Sequence, residues 1–150
     1  MSRAAIIYDT KFGNTEKVAR ALAEGMKKHG VKVDCLKIDE VNISKVGDYD
    51  LFAIGGPTHL FGLSRPMEAF LQKLENLDIG GKRAFAFDTK LKSRLSGSAG
   101  KRIEKKLKKL GMSIVKSRVS AIVRGGEGPL DNGAEETFKQ IGAEIAKSLQ

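Results

Sequence analysis

The stretch Tyr8-Asp-Thr-Lys-Phe-Gly-Asn-Thr15 decides the fold, and it directly follows an apolar run from Ala4 to Tyr8. Beyond it, apolar residues recur at three- and four-residue spacing as far as Met26, which predicts an amphipathic helix from Asn14 to about His29. A strand, a tight loop and a helix N-terminus therefore follow one another directly. Backbone N–H groups and the positive end of the helix dipole converge at such a junction, so this stretch predicts a phosphate-binding site.

The side chains of this loop favour a monophosphate. Thr10, Asn14 and Thr15 add hydroxyl and amide donors, while the loop lacks both the G-x-G-x-x-G pattern and the lysine-containing nucleoside triphosphate pattern. Hydroxyl and amide groups take the place of lysine as the phosphate ligands, which suits a phosphate that is bound without a magnesium ion. The residues alone also allow a plain alternative, in which Asn14 or Thr15 merely caps the helix.

Apolar runs and helical patterns alternate along the rest of the chain. This alternation predicts right-handed βαβ crossovers and a parallel sheet that is covered on both faces. Residues 39–48 fit either a short helix or a packed connector. Further strands are predicted at Val31–Ile38, Asp50–Gly55, Lys82–Asp88 and Ile114–Val123, the last with an irregular middle where Lys116, Ser117 and Arg118 interrupt the apolar residues. Further helices are predicted from Pro66 through Leu74, from about Ser98 to Leu110, and over Phe138 to Leu149.

Three polar, glycine-containing loops follow strands of the predicted sheet. They comprise residues 9–15, 55–65 and 88–100. In parallel sheets, ligands bind beyond the carboxyl ends of the strands, at the point where the strand order reverses. We therefore expect these three loops to form one site.

The positive charge of the chain is concentrated in one region. Between Lys82 and Arg124, 14 basic residues oppose 2 acidic ones, a net charge of +12, whereas the rest has 13 basic and 16 acidic residues, a net charge of −3. Such a field attracts anionic partners. The basic helix near residues 98–110 is either a solvated face or a docking surface for an acidic partner. Nucleic acid is disfavoured, because the chain has no stacking-aromatic or recognition-helix pattern.

Other features exclude several classes of protein. The apolar runs are far shorter than the roughly twenty residues of a membrane span. No signal-peptide pattern is present, so a cytoplasmic location is expected. The single cysteine, Cys35, excludes an internal disulfide, and the separation of His29 from His59 gives no metal-ligand spacing. The length of 150 residues predicts one domain over residues 1–150.

The segment Thr10-Lys-Phe-Gly-Asn-Thr15 resembles the phosphate loop of the flavodoxin family, whose pattern is Thr or Ser, two residues, Gly, a polar residue and Thr. The segments Asp48-Tyr-Asp50 and Gly55-Gly-Pro-Thr58 extend the resemblance, which covers the whole chain in element order. It implies an α/β three-layer sandwich with a five-stranded parallel sheet of order 2-1-3-4-5. Residues 114–123 leave no room for the insertion of long-chain members, so the short-chain type is expected.

By resemblance, the cofactor is FMN. The family pattern implies that Thr10, Asn14, Thr15 and the backbone amides of residues 11–15 hold its phosphate. Phe12 stands where many members have a hydroxyl, which places an aromatic ring near the flavin. The chain has no tryptophan to stack on the ring. The candidate cofactor-binding residues are Thr10, Lys11, Phe12, Gly13, Asn14 and Thr15 in the first loop, Pro57, Thr58, His59, Leu60, Phe61 and Gly62 in the second, and Asp88, Thr89, Lys90, Leu91 and Arg94 in the third.

The resemblance also implies a function. It predicts one-electron transfer between redox proteins, with acidic proteins as the expected partners and with no catalytic side chain. Positive charge from Lys90, Lys92 and Arg94 predicts a less negative potential for the reduced flavin than in an acidic relative.

The sequence also bears on three other functions. One alternative is an FMN-dependent oxidoreductase that acts on a small carboxylated substrate, as protoporphyrinogen oxidases do. Another is a binding domain without flavin. A response regulator is excluded, because Gly55 and Gly56 stand where its phosphate-accepting acid is needed.

Overall fold

A parallel β-sheet forms the centre of the molecule in our computed structural model, which describes residues 2–59, 62–93 and 97–150. The strands follow the order β2-β1-β3-β4-β5, with β6 also pairing with β4, so the predicted order 2-1-3-4-5 is confirmed. The strands are β1 (Arg3–Tyr8), β2 (Lys32–Lys37), β3 (Leu51–Pro57), β4 (Arg83–Leu91), β5 (Ser113–Ile114) and β6 (Val119–Val123). The helices are α1 (Asn14–Lys28), α2 (Arg65–Leu74), α3 (Ala99–Lys109) and α4 (Ala134–Ser148).

The predicted interruption of the fifth strand at Lys116, Ser117 and Arg118 is confirmed, because two short strands, β5 and β6, flank these residues. β5 pairs with the start of β4 and β6 pairs with its end, from Phe87 opposite Val119 to Leu91 opposite Val123. Between them the backbone leaves the ladder, where the N–H of Arg118 donates to the carboxylate of Glu104 at 2.9 Å. Glu104 is 6% exposed, so this buried acceptor competes with the sheet for the backbone donor.

The helices cover both faces of the sheet, as predicted. One core lies under α1 and α4, and the other lies under α2 and α3. Each core combines apolar side chains from one face of the sheet with the apolar stripes of two helices, and these are removed from water together. The connector over residues 39–48 consists of two 3₁₀ segments, Ile38–Glu40 and Ile43–Asp48.

Helices α1 and α4 approach each other through glycine. A Cβ atom added at Gly25 would lie 1.9 Å from the carbonyl oxygen of Lys139, and one added at Gly142 would lie 2.2 Å from that of Leu22. Only residues without a side chain fit at this crossing, so the two backbones pack directly.

The strands that lead to the expected site extend further than the sequence patterns predicted. β3 reaches Pro57, and β4 reaches Leu91, since these residues remain paired with neighbouring strands. The third loop therefore starts after Leu91 and not at Thr89. No helix within the described residues combines the length and the apolar composition that crossing a bilayer requires.

Candidate cofactor site

The first loop, residues 9–13, connects β1 to α1 and leaves the start of that helix open. Gly13 precedes α1 with a φ of 88°, and its N–H donates to the hydroxyl of Thr10 at 2.9 Å. No side chain in the described part of the chain caps α1, so the alternative in which Asn14 or Thr15 caps this helix is wrong. The N–H groups of the first turn of a helix have no acceptor within it, and here they are available to an anion.

Asn14 and Thr15 connect this loop to other parts of the sheet edge. The side-chain amide of Asn14 donates to the carbonyl oxygen of Glu127 at 3.1 Å. The hydroxyls of Thr15 and Thr89 lie 2.9 Å apart and are both buried, so they share a hydrogen bond. The first loop is thereby fastened to the end of β4 and to the loop that follows β6.

A small cavity of about 110 Å³ lies beside the open end of α1. It is much smaller than the roughly 300–1,000 Å³ of pockets that enclose a small ligand, so it suits one end of a cofactor whose remainder lies at the surface. The structure thus brings ten of the predicted cofactor-binding residues together, drawn from the three predicted loops, and adds two others. The lining residues are Thr10, Lys11, Phe12, Asn14, Thr15, Pro57, Thr58, Thr89, Lys90, Leu91, Val123 and Gly126.

Ten of the twelve lining residues are predicted cofactor-binding residues, and two are not. The two additions, Val123 and Gly126, belong to the end of β6 and the loop after it. The available signal was position, since this glycine-rich loop also follows a parallel strand at the carboxyl edge of the sheet.

Two large apolar side chains stand at the rim of this cavity. Phe12 is 49% exposed and Leu91 is 41% exposed, and both line the cavity. The ammonium group of Lys11 lies 5.3 Å from the centre of the Phe12 ring. An aromatic and an aliphatic surface are therefore available beside the open end of α1, as expected for Phe12 from its place in the motif.

The second loop turns back on itself between His59 and Gly62. The N–H of His59 donates to the carbonyl of Gly62 at 2.7 Å, and the N–H of Gly62 donates to the carbonyl of His59 at 2.9 Å. His59 is exposed. Arg102 of α3 lies against this turn, because a Cβ atom added at Gly62 would lie 2.8 Å from its Nε. The predicted residues Leu60, Phe61 and Arg94 lie outside the described residues.

Asp88 is fully buried at the start of α3. Its Oδ2 accepts hydrogen bonds from the hydroxyl of Ser98 at 2.7 Å, from the N–H of Gly100 at 2.8 Å and from the hydroxyl of Thr58 at 3.2 Å. The hydroxyl of Thr58 in turn accepts from the N–H of Ala99 at 3.0 Å. Both side chains thus serve the N-terminus of α3, and their predicted contact with the cofactor stays a prediction.

Glu16, the acidic residue in the first turn of α1, accepts hydrogen bonds from Arg20 and Tyr8. The hydrogen bond from Arg20 lowers the pKa of Glu16, and a second one from Tyr8 acts in the same direction. Burial, followed by the hydrogen bond to Glu16, raises the pKa of Tyr8 to about 12. The salt bridge between Arg20 and Glu16 at 3.1 Å offsets the negative charge that would otherwise repel an anion at this helix end.

The residues present fit the phosphate end of FMN. An uncapped helix start, a glycine in the left-handed conformation and a lining of hydroxyl and amide groups form a cradle for one anion. Within the described residues, no group of three or more His, Cys, Asp or Glu is placed to hold a metal ion.

Comparisons with known proteins agree with this geometry. The flavodoxin of Aquifex aeolicus (strain VF5) is 37% identical over 93 residues, which cover 59% of this chain and 50% of that protein. The flavodoxin of Clostridium saccharobutylicum is 28% identical over 88 residues, which cover 58% and 55%. The chain thus spans about half the length of the curated relatives it matches.

Solved structures share the fold over nearly the whole chain. Oxidised flavodoxin 1 from Bacillus cereus has a TM-score of 0.86 at 24% identity, covering 99% of this chain and 100% of that one. Rubredoxin oxygen:oxidoreductase from Desulfovibrio gigas has a TM-score of 0.85 at 25% identity, covering 99% of this chain and 36% of that one. The family model described as Flavodoxin matches residues 6–141. The chain therefore belongs to the flavodoxin family, whose members bind FMN.

Proposed function

We propose that this chain carries single electrons between redox proteins by means of one bound FMN. The observation that carries the proposal is the uncapped start of α1, which faces a cavity lined by donors from three segments of the sheet edge. FMN supplies the redox chemistry when it is bound, and the protein supplies binding, orientation and electrostatics.

The residues of the first loop would hold the phosphate. The N–H groups at the start of α1 donate to it, while Thr10 keeps Gly13 in place through its hydroxyl. The buried pair of Thr15 and Thr89 ties this cradle to β4 and so fixes its position relative to the second and third loops. Phe12 and Leu91 offer apolar surface to the flavin ring at the rim.

The lining of the cavity favours electron transfer over substrate turnover. Lys11 and Lys90 are the only ionisable side chains among its described residues, so no carboxylate or imidazole there could serve as a general acid or base. An electron carrier needs no such group. The carboxylated-substrate alternative finds no support in this part of the molecule.

Reconstitution with FMN tests the proposal. We expect the purified protein to take up one equivalent of FMN, to turn yellow, and to be reduced in two separate one-electron steps during a redox titration followed by visible spectroscopy. Failure to take up FMN would leave a binding domain without flavin. Reduction in a single two-electron step, together with turnover of a carboxylated substrate, would favour the oxidoreductase.

The finer expectations belong to the same proposal. The net charge of +9 supports acidic redox proteins as partners, and the family supports a cytoplasmic location and a single domain over residues 1–150. Lys90 and Lys92 support a less negative potential for the reduced flavin. Neutralising both lysines should lower that potential in the same redox titration, and an unchanged potential would remove the charge argument.

A further inference from the structure

A groove lies between α2 and α3 on the face of the sheet opposite α1 and α4. Its volume is about 740 Å³, and its lining combines residues of both helices with Gly97 and Ser98 at the start of α3. We refer to it as the α2–α3 groove. It is separate from the cavity beside the start of α1, with which it shares no lining residue.

The α3 side of the groove carries an excess of positive charge. Five cations line it, and only Lys106 forms an ion pair within the described residues, with Glu75. Against them stands a single lining carboxylate, that of Glu68. The other four cations, which have no ion pair in the described part of the chain, are Lys101, Arg102, Lys105 and Lys109.

Apolar surface lies between these charges. The half-buried Leu63 lines the groove together with the aliphatic stems of the lysines, and the core residue Leu71 lies beneath it. A surface that joins exposed cations to apolar contact area is suited to a protein partner, because burial provides affinity while charge provides steering. If the basic face of α3 were merely solvated, a groove between α2 and α3 would not be required.

The groove also reaches the flavin-binding edge of the sheet. Arg102 lines the groove and at the same time packs against Gly62 in the second loop. Gly97 and Ser98 place the end of the groove beside the third loop. A partner seated there would lie next to the loops that are expected to enclose the flavin ring.

We propose that the α2–α3 groove is the docking surface for an acidic redox protein, which inserts a carboxylate-bearing segment between the two helices. This inference rests on the proposed function, and it adds the place at which the partner binds. The carboxylates of the partner pair with the four cations that lack an ion pair in the described part of the chain, and the apolar residues of the partner cover Leu63.

The test uses the FMN-loaded protein and an acidic [2Fe–2S] ferredoxin as the probe. Association is measured by calorimetry at about 10 mM and at about 150 mM salt, because exposed charge pairs weaken as screening increases. Backbone amide NMR of the labelled protein then locates the contact. We expect saturable binding at low salt, with shifts confined to α2, α3 and the turn at Gly62.

Two variants of equal charge separate position from net charge. Changing Lys101, Lys105 and Lys109 to Gln should weaken binding about tenfold at low salt, since each exposed pair contributes about 0.2–1 kcal/mol. Changing Lys27, Lys28 and Lys32 to Gln removes the same charge from exposed positions at the end of α1 and the start of β2. That control should bind nearly as the unmodified protein does.

Several results would overturn the inference. Equal weakening in both variants would show attraction by net charge alone, and amide shifts elsewhere would place the partner on another surface. Absence of saturable binding at low salt would remove the docking surface. Tighter binding of a DNA duplex than of the ferredoxin, lost in the first variant, would assign the groove to nucleic acid. Each of these outcomes leaves FMN uptake and stepwise reduction intact, so it is distinct from a failure of the proposed function.

Discussion

The N-termini of α1 and α3 lie at the same edge of the sheet, but their free N–H groups are provided with acceptors in different ways. At α3, Ser98 caps the helix, and the buried carboxylate of Asp88 accepts the N–H of Gly100. At α1, Gly13 provides no cap, and the first-turn amides face a cavity. The comparison indicates that a helix start at this edge is satisfied either from within the chain or by a ligand, and that α1 is the one left for the ligand.

The N-terminus of α4 sharpens the comparison. It begins like α1, after a glycine, Gly133, with a φ of 83° and no side-chain cap in the described residues. Its first N–H, however, donates to the carbonyl of Asp131 at 3.2 Å, and Glu135 and Glu136 lie in its first turn. A left-handed glycine is therefore not sufficient for an anion site, because nearby acceptors and negative charge can serve the helix instead.

The largest effect is expected from removing the Asp88 carboxylate, which lies at the N-terminus of α3. Asp88→Ala leaves three donors, on Thr58, Ser98 and Gly100, without their buried acceptor. Hydrogen bonds to charged groups contribute about 1.5–3 kcal/mol each, and three are lost, so we expect the free energy of unfolding to fall by about 4.5 kcal/mol or more. Urea denaturation of the FMN-free protein measures it.

Asp88→Asn serves as the matched variant, because it keeps an oxygen acceptor of similar shape without the charge. We expect it to lose roughly half as much stability as Asp88→Ala. If Asp88→Ala changed the stability by less than about 0.5 kcal/mol, the surface range, the network would not hold α3 in place.

The second effect distinguishes the two helices that begin after glycine. Gly13→Ala and Gly133→Ala each place an alanine at a positive φ, and a Cβ atom at either position meets nothing within 4 Å. Both should therefore lose about 1 kcal/mol of stability through backbone strain alone. Only Gly13→Ala should also weaken FMN binding, by about tenfold or more, because only that glycine shapes the open cradle.

Fluorescence titration of the FMN-free variants measures this difference, since free FMN can be followed as it binds. The unmodified protein and Gly133→Ala should bind FMN equally. Equal losses of affinity in the two alanine variants would show that strain anywhere at this edge of the sheet disturbs the site, and that the start of α1 has no special role.

The phosphate side of the site could be predicted from the sequence because its geometry is local. Residues 9–15 contain the end of a strand, a left-handed glycine and a helix start, and backbone groups provide most of the donors. The fold was equally accessible, since alternating strands and helices imply a parallel sheet. The polar residues Lys116, Ser117 and Arg118 also predict the interruption of the fifth strand, but they do not show its partner, because Glu104, which accepts the N–H of Arg118, belongs to another element.

The long-range contacts of the site were out of reach for the same reason. Asn14 bonds to Glu127, and Asp88 bonds to Thr58, so each pair unites segments that are far apart in the chain. A sequence pattern shows that Asp88 ends a strand, but not that its carboxylate lies beneath α3. The sequence therefore assigns the polar residues that follow strands to the cofactor as a group and does not separate those that cap α3.

A smaller effect is expected from the hydroxyl pair that fastens the phosphate cradle to β4. Thr15→Val and Thr89→Val each remove one buried hydroxyl and leave the other without its partner. Each single change should cost about 1–2 kcal/mol of stability, whereas the double change should cost less than the sum, because it leaves no unpaired hydroxyl. Thermal denaturation of the four proteins gives the coupling energy. Strict additivity would show that the two hydroxyls act independently.

The smallest effect concerns the tyrosine beside the open helix start, and it appears only at high pH. Burial and the bond to Glu16 raise the pKa of Tyr8 to about 12, and burial with the bond to Asp34 raises that of Tyr49 to about 12. A raised tyrosine pKa means that the folded state favours the neutral phenol. This contribution to stability is complete below about pH 10 and is lost as the pH rises toward about 12. Near pH 10.5, the part that is already lost is less than about 1 kcal/mol for each tyrosine.

The chain has two tyrosines and no tryptophan, so phenolate absorbance reports on these two groups alone. We expect no titration near pH 10 in the folded protein. Glu16→Gln should lower the pKa of Tyr8 only in part, because burial is the larger cause, and should leave that of Tyr49 unchanged. Asp34→Asn should do the reverse. If Tyr8 titrated at its ordinary value near pH 10, the first turn of α1 would be open to water at Glu16. The contrast with the closed start of α3 would then extend to the side chains of α1 as well as to its amides.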